Sequence, residues 1–161
     1  MKRFIAICVL LVLILAGCKV DLTPTEHTLS QYGITITLPG TYCKIDERSS
    51  DRYFTVYTNV GTLAFGRFKD TQESLTEENV KLYIENNAHS ELATYELLDN
   101  GAYYIEYAPR EESGHMLVES VYFIQNGNDV WRIECIEIEE QYNKEAVISA
   151  LTSIRFHEDE N

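Results

Sequence analysis

Strand-like alternation dominates the chain from about residue 32 onward. Ile34, Ile36 and Leu38 fall on one phase with Thr35 and Thr37 on the other, and Pro39-Gly40 stops the run. β-rich stretches at 52–58 and 62–68 meet at Asn59-Val60-Gly61. Two more pairs flank Asn100-Gly101 (93–98 and 102–108) and Asn126-Gly127 (117–125 and 130–138). Asn-Gly suits a tight hairpin because its central positions tolerate positive φ. Three hairpins predict a mainly antiparallel sheet of six or seven strands.

Two segments change to a helical period. Ser74-Leu75-Thr76-Glu77 has the spacing of a capping box and leads into Val80, Tyr83 and Ile84, which predicts a helix from 75 to about 88. Tyr142, Ala146, Val147, Ala150 and Leu151 form the apolar stripe of a second helix, from about 140 to 152, followed by a short strand at 153–156. Around Cys135 the alternation is irregular: Trp131, Ile133 and Cys135 share one phase, Ile136 and Ile138 the other. Either a bulge slips the register, or both sheet faces are covered. The pattern is that of one α+β domain with two helices packed on the faces of the sheet.

The N-terminus reads differently. Lys2 and Arg3 precede an unbroken apolar run of 13 residues, Phe4 to Ala16. As a helix it would span roughly 20 Å, short of the roughly 30 Å hydrocarbon core, so it reads as the hydrophobic region of a secretory signal. The run closes on Leu15-Ala16-Gly17-Cys18, which resembles the bacterial lipobox. That resemblance implies cleavage after Gly17 and a lipid on Cys18, which anchors the protein to a membrane with its domain on the extracytoplasmic side. Each buried methylene of such a lipid contributes about 0.8 kcal/mol. The expected organisation is a signal peptide (1–17), a lipidated N-terminus and flexible tether (18–31, with Pro24 and no period), a domain (32–156) and an acidic tail (157–161).

Charge and cysteine usage narrow the function. With 26 acidic and 13 basic residues the net charge is −13, which excludes ordinary nucleic-acid binding through clustered Lys and Arg. Of four cysteines, Cys8 leaves with the signal and Cys18 carries lipid. Cys43 and Cys135 remain, both on inward phases. They form either a disulfide, contributing roughly 4 to 5 kcal/mol across so long a loop, or two buried thiols.

No catalytic constellation stands out. His27, His89, His115 and His157 are scattered, and no metal-binding His or Cys pair, serine elbow or phosphate loop occurs. The expectation is a non-enzymatic protein without a cofactor. Glu134, Glu137, Glu139 and Glu140, and separately Glu158-Asp159-Glu160, read either as oxygen ligands for a hard cation or as solubilising acids near a helix start. The chain has 11 tyrosines. Most suit sheet packing, but alternation leaves some rings outward, and Tyr104, Tyr107 and Tyr122 are the candidate partner surface.

The order of elements completes this reading. A strand ending in Leu38-Pro39-Gly40 with Tyr42 soon after is followed by hairpins, a helix, a meander, a second helix and a closing Ser153-Ile154-Arg155-Phe156. Over residues 32–156 this resembles the PsbP-like family. The resemblance implies a sheet with helices on both faces, and an accessory or assembly role rather than catalysis. The expected function is therefore an envelope lipoprotein that binds another envelope protein. A small-ligand or divalent-cation binder, with Glu137 and Glu140 contributing, is the alternative.

Overall fold

Residues 23–29, 33–42, 44–49, 53–68, 75–87 and 93–157 are described by the computed structural model. In chain order they form β1 (Thr25–Leu29), β2 (Ile34–Leu38), β3 (Lys44–Ser49), β4 (Tyr53–Thr58), β5 (Gly61–Phe68), α1 (Glu77–Glu85), β6 (Thr94–Leu97), β7 (Tyr103–Glu106), β8 (Arg110–Glu112), β9 (His115–Asn126), β10 (Asp129–Ile138), a 3-10 turn (Glu139–Gln141), α2 (Lys144–Thr152) and β11 (Arg155–Phe156). The large sheet has the order β3-β4-β5-β10-β9-β7-β6, with β8 also paired to β9. A small sheet has the order β1-β2-β11. Each strand pairing is antiparallel. This is a single α+β domain, as the alternation and the two helical segments require.

The large sheet separates two apolar clusters. On one face Phe54, Val56, Leu63, Phe65, Tyr104, Tyr122, Trp131, Ile133 and Cys135 meet Ile34, Ile36 and Leu38 of the small sheet and Val147, Ala150 and Leu151 of α2. On the other face Val80 of α1 packs with Ile105, Val121, Phe123 and Val130. The irregular phase of β10 is thereby explained. Its register runs unbroken against both β5 and β9, so there is no bulge, and both faces of the sheet are covered.

Several expectations are corrected at their edges. Thr25–Leu29, expected within the tether, is a strand. Its Leu29 is buried, and the pairing with β2 satisfies the backbone groups that face that strand. Helix α1 starts at Glu77, because the Thr76 hydroxyl accepts from Asn79 N at 3.3 Å and caps it; Ser74 lies outside the described residues. The second helix begins at Lys144 rather than near Glu140. Asn143 Oδ1 accepts from Ala146 N at 2.9 Å, and Tyr142 ahead of it is extended. Truncating that cap by Asn143→Ala is expected to cost about 1 kcal/mol, read as a lower urea midpoint at unchanged slope. His157 belongs to the domain rather than to a frayed tail: its N–H donates to Gly33 O at 2.7 Å, and its ring meets the Thr35 hydroxyl at 2.6 Å.

The hairpins fall where expected, with one shift in detail. Between Asn126 and Asp129 the two-residue loop is Gly127-Asn128, and positive φ (+61°) is found at Gly127 rather than at Asn126. Glycine at the first central position is the type II′ arrangement, which matches strand twist as well as type I′ does.

Candidate functional site

The β10 period aims residue 137 inward after Trp131, Ile133 and Cys135, and that residue is a glutamate, only 3% exposed. Tyr42, brought over the sheet by a turn in which its N–H donates to Pro39 O at 2.8 Å, donates its hydroxyl to Glu137 Oε1 at 2.6 Å. Glu137 Oε2 has no partner among the described residues. Nearby on the same face lie the Cys135 thiol and the Ser120 hydroxyl, paired across β10 and β9. Ser120 Oγ is also buried without a well-formed hydrogen bond.

A second polar group lies toward β7 and the start of α2. Tyr142 donates its hydroxyl to Glu106, and its oxygen lies 2.9 Å from the Tyr104 hydroxyl. Lys144 Nζ is 3.0 Å from Glu96 and 5.3 Å from the centroid of the Tyr104 ring. Burial is the main influence on the titrating groups here. It pushes the Glu137 carboxyl up to about 7, against the Tyr42 bond that holds it down. It also raises the Tyr42, Tyr104 and Tyr142 hydroxyls and the Cys135 thiol well above their usual values. A thiol held protonated in this way is a poor nucleophile, and the arrangement supports packing rather than covalent chemistry.

The anticipated partner surface is not where the alternation placed it. Tyr104 and Tyr122 are 1% and 0% exposed, because their face is roofed by the small sheet and α2, and Tyr107 is 3% exposed beneath α1, bonded by Asn87 Nδ2 at 3.1 Å. These rings are core. Cys135 is a buried free thiol, while Cys18 and Cys43 lie outside the described residues. The acids do not converge: Glu134 pairs with Arg132 at 2.9 Å, Glu137 points inward, and Glu139 and Glu140 are exposed. Among the described residues no group of three His, Cys, Asp or Glu could hold a metal ion. Nor is any helix among them long and apolar enough to cross a membrane.

What the surface offers instead is an edge. The four residues of β6 are all exposed, and among the described residues β6 pairs only with β7. Leu97 is 62% exposed, and Tyr95 stands outward with its hydroxyl donating to Glu77 Oε1 at 2.8 Å and Lys81 over its ring. The opposite edge, β3, is different. Its sequence Lys-Ile-Asp-Glu-Arg-Ser carries charge, and its register slips between Lys44 and Asp46, two devices that discourage edge pairing. On the α1 side of the sheet, Thr55, Ala64, Gly66, Arg132 and Glu134 line an open groove of about 260 Å³. Alternation located β6 but not its exposure: α1 and α2 reach it only through the polar side chains of Glu77, Lys81 and Lys144, and bury none of its residues.

A fold of this kind, a two-sheet α+β domain with helices on both faces of its larger sheet, has solved counterparts. No family model matches the sequence, and no curated protein does. A crystal structure from Bacteroides thetaiotaomicron superposes with a TM-score of 0.55 at 11% identity, over 80% of this chain but 47% of that one, so this chain spans about half its length. The Ran-binding protein Mog1p of Saccharomyces cerevisiae gives a TM-score of 0.54 at 10% identity over 84% of this chain and 96% of its own. The solution structure of cyanobacterial PsbP from Synechocystis sp. PCC 6803 gives 0.48 at 12% identity over 88% and 96%. At such identities what the first two share with this chain is the fold.

Proposed function

We propose that this protein is a non-enzymatic envelope lipoprotein, anchored through a lipid on Cys18 with its domain on the extracytoplasmic side, which binds another envelope protein along the β6 edge. The observation that carries the reading is the exposed β6 strand, an edge among the described residues that presents Leu97 and Tyr95, while the β3 edge is guarded by charge. An extended segment of a partner can add to such an edge, main-chain bonds giving affinity and alternate side chains giving specificity. A lipid tether would raise the effective concentration of the domain near membrane-bound partners. The likeness in fold to a protein described as Ran-binding is in keeping with a binding role.

Crosslinking on intact cells that carry the tagged protein tests this. One reproducible envelope partner is expected, with capture reduced at least tenfold by Leu97→Lys, a surface change expected to alter stability by less than about 0.5 kcal/mol. Cys18→Ala should move the protein out of the membrane fraction and reduce capture. A partner retained undiminished by Leu97→Lys would refute the β6 edge, and membrane attachment undisturbed by Cys18→Ala would refute the anchor.

A further inference from the structure

Glu137 is a carboxyl in a place where strand periodicity demands an apolar side chain. It lies opposite Val118 on β9 and Gly61 on β5, and no salt bridge reaches it among the described residues. The polar groups that face this corner are few. The β2–β3 turn contributes Tyr42, its own strand Cys135, β9 Ser120 and β7 Tyr104. Tyr142, Glu106 and Lys144 stand beyond Tyr104, where they bond to one another rather than to Glu137. Among the described residues Tyr42 is the one hydrogen-bond donor to the carboxyl, and Oε2 is left unpartnered in an interior that penalises charge.

We propose that Glu137 is a pH sensor built into the fold: its carboxyl sits protonated in the apolar corner beside the β2–β3 turn, and the corner loses stability when the proton leaves a charge in that interior. Among the described residues Tyr42 is the only side chain of this turn bonded to Glu137; that bond strengthens on ionisation and offsets part of the cost, and the unpartnered Oε2 bears the rest, so this corner is where ionisation would admit water. Burial lifts the carboxyl in the folded protein to about 7, against 4.5 when unperturbed. The folded state therefore binds this proton more tightly than the unfolded chain. The contribution is fully present below about pH 4.5 and is lost as pH rises through 7.

The test compares wild type with Glu137→Gln, which keeps the size and the acceptor for Tyr42 but cannot ionise. In denaturant titrations from about pH 5 to about pH 8.5, the wild-type unfolding constant should rise by up to about 70-fold relative to the variant. A second readout uses the folded wild-type protein alone: an infrared band of a protonated carboxyl near pH 6, fading toward pH 8.5 and missing from Glu137→Gln. Tyr42→Phe removes the donor that favours ionisation, so it should shift the fading of that band to higher pH. If Glu137→Gln does not fold, the wild-type band and its displacement in Tyr42→Phe decide the matter. Parallel pH profiles for wild type and Glu137→Gln, or no protonated band near pH 6, would overturn the proposal.

Discussion

Tyr122→Ala is expected to lower stability by about 3 to 5 kcal/mol, a large part of the roughly 5 to 15 kcal/mol that holds a domain together. The ring is wholly buried, opposite Tyr104 on β7 and Ile133 on β10, and part of the larger apolar cluster. Alanine would leave a cavity between the strands and the small sheet that the surrounding backbone cannot close. The hydroxyl is the lesser part: Asn100 Nδ2 donates to it at 2.7 Å, so Tyr122→Phe should cost only about 1 kcal/mol. Urea titration of the three proteins separates the two contributions. If Tyr122→Ala kept the wild-type midpoint and lost only partner capture, Tyr122 would have to lie on a binding surface and not in the core.

A comparable loss, about 3 kcal/mol, is expected from Gly61→Ala. Gly61 opens β5 where the chain turns from β4, directly opposite Glu137. A Cβ built there would lie 2.1 Å from the Ile136 carbonyl oxygen and 2.9 Å from Glu137 Cα. Both are backbone atoms of the central strand, so no rotamer change relieves the clash, and β5 must move away from β10. The Thr58 hydroxyl, which accepts from Gly61 N at 3.1 Å and donates to Gly61 O at 3.0 Å, would be displaced with it. Gly66→Ala on the same strand is the control. Its Cβ would meet nothing nearer than Arg132 O at 3.7 Å, so the midpoint should stay within about 0.5 kcal/mol of wild type. Equal effects at the two glycines would show that the turn, and not the close approach, governs Gly61.

What the sequence made legible follows from where local signals decide structure. The hairpins at Gly101 and Gly127, both helices and the long strands β9 and β10 each carry their own periodicity or turn chemistry, and they appear close to where those signals place them. Strands β1 and β8 do not. Thr25–Leu29 has little apolar content and becomes a strand through its partner β2, while Arg110–Glu112 is polar, half-buried at Arg110 and exposed beyond it, and among the described residues pairs only with β9. Tertiary pairing determines both. The tyrosines show the same limit. Alternation correctly put Tyr103 and Tyr104 on opposite faces, but it could not tell that a second sheet roofs one face and a helix the other. Glu137 was legible as an acid among acids. Its burial was signalled only by sharing the phase of Trp131, Ile133 and Cys135, a clue masked by the isoleucines at 136 and 138.

The small sheet has a consequence for the order in which the molecule comes into being. Its middle strand, β2, is flanked by β1 on one side and by the two-residue β11 on the other. The Thr35 hydroxyl meets the His157 ring across a separation of 122 residues, and Ser153 Oγ accepts from Thr37 N across 116. Contacts so distant in sequence repay their loop-closure entropy only when the last residues are present. Until β11 has been made, β2 has a partner among the described strands on one side only. Closure of the small sheet is thus tied to completion of the domain, and a chain shortened ahead of Arg155 would leave that side of β2 open.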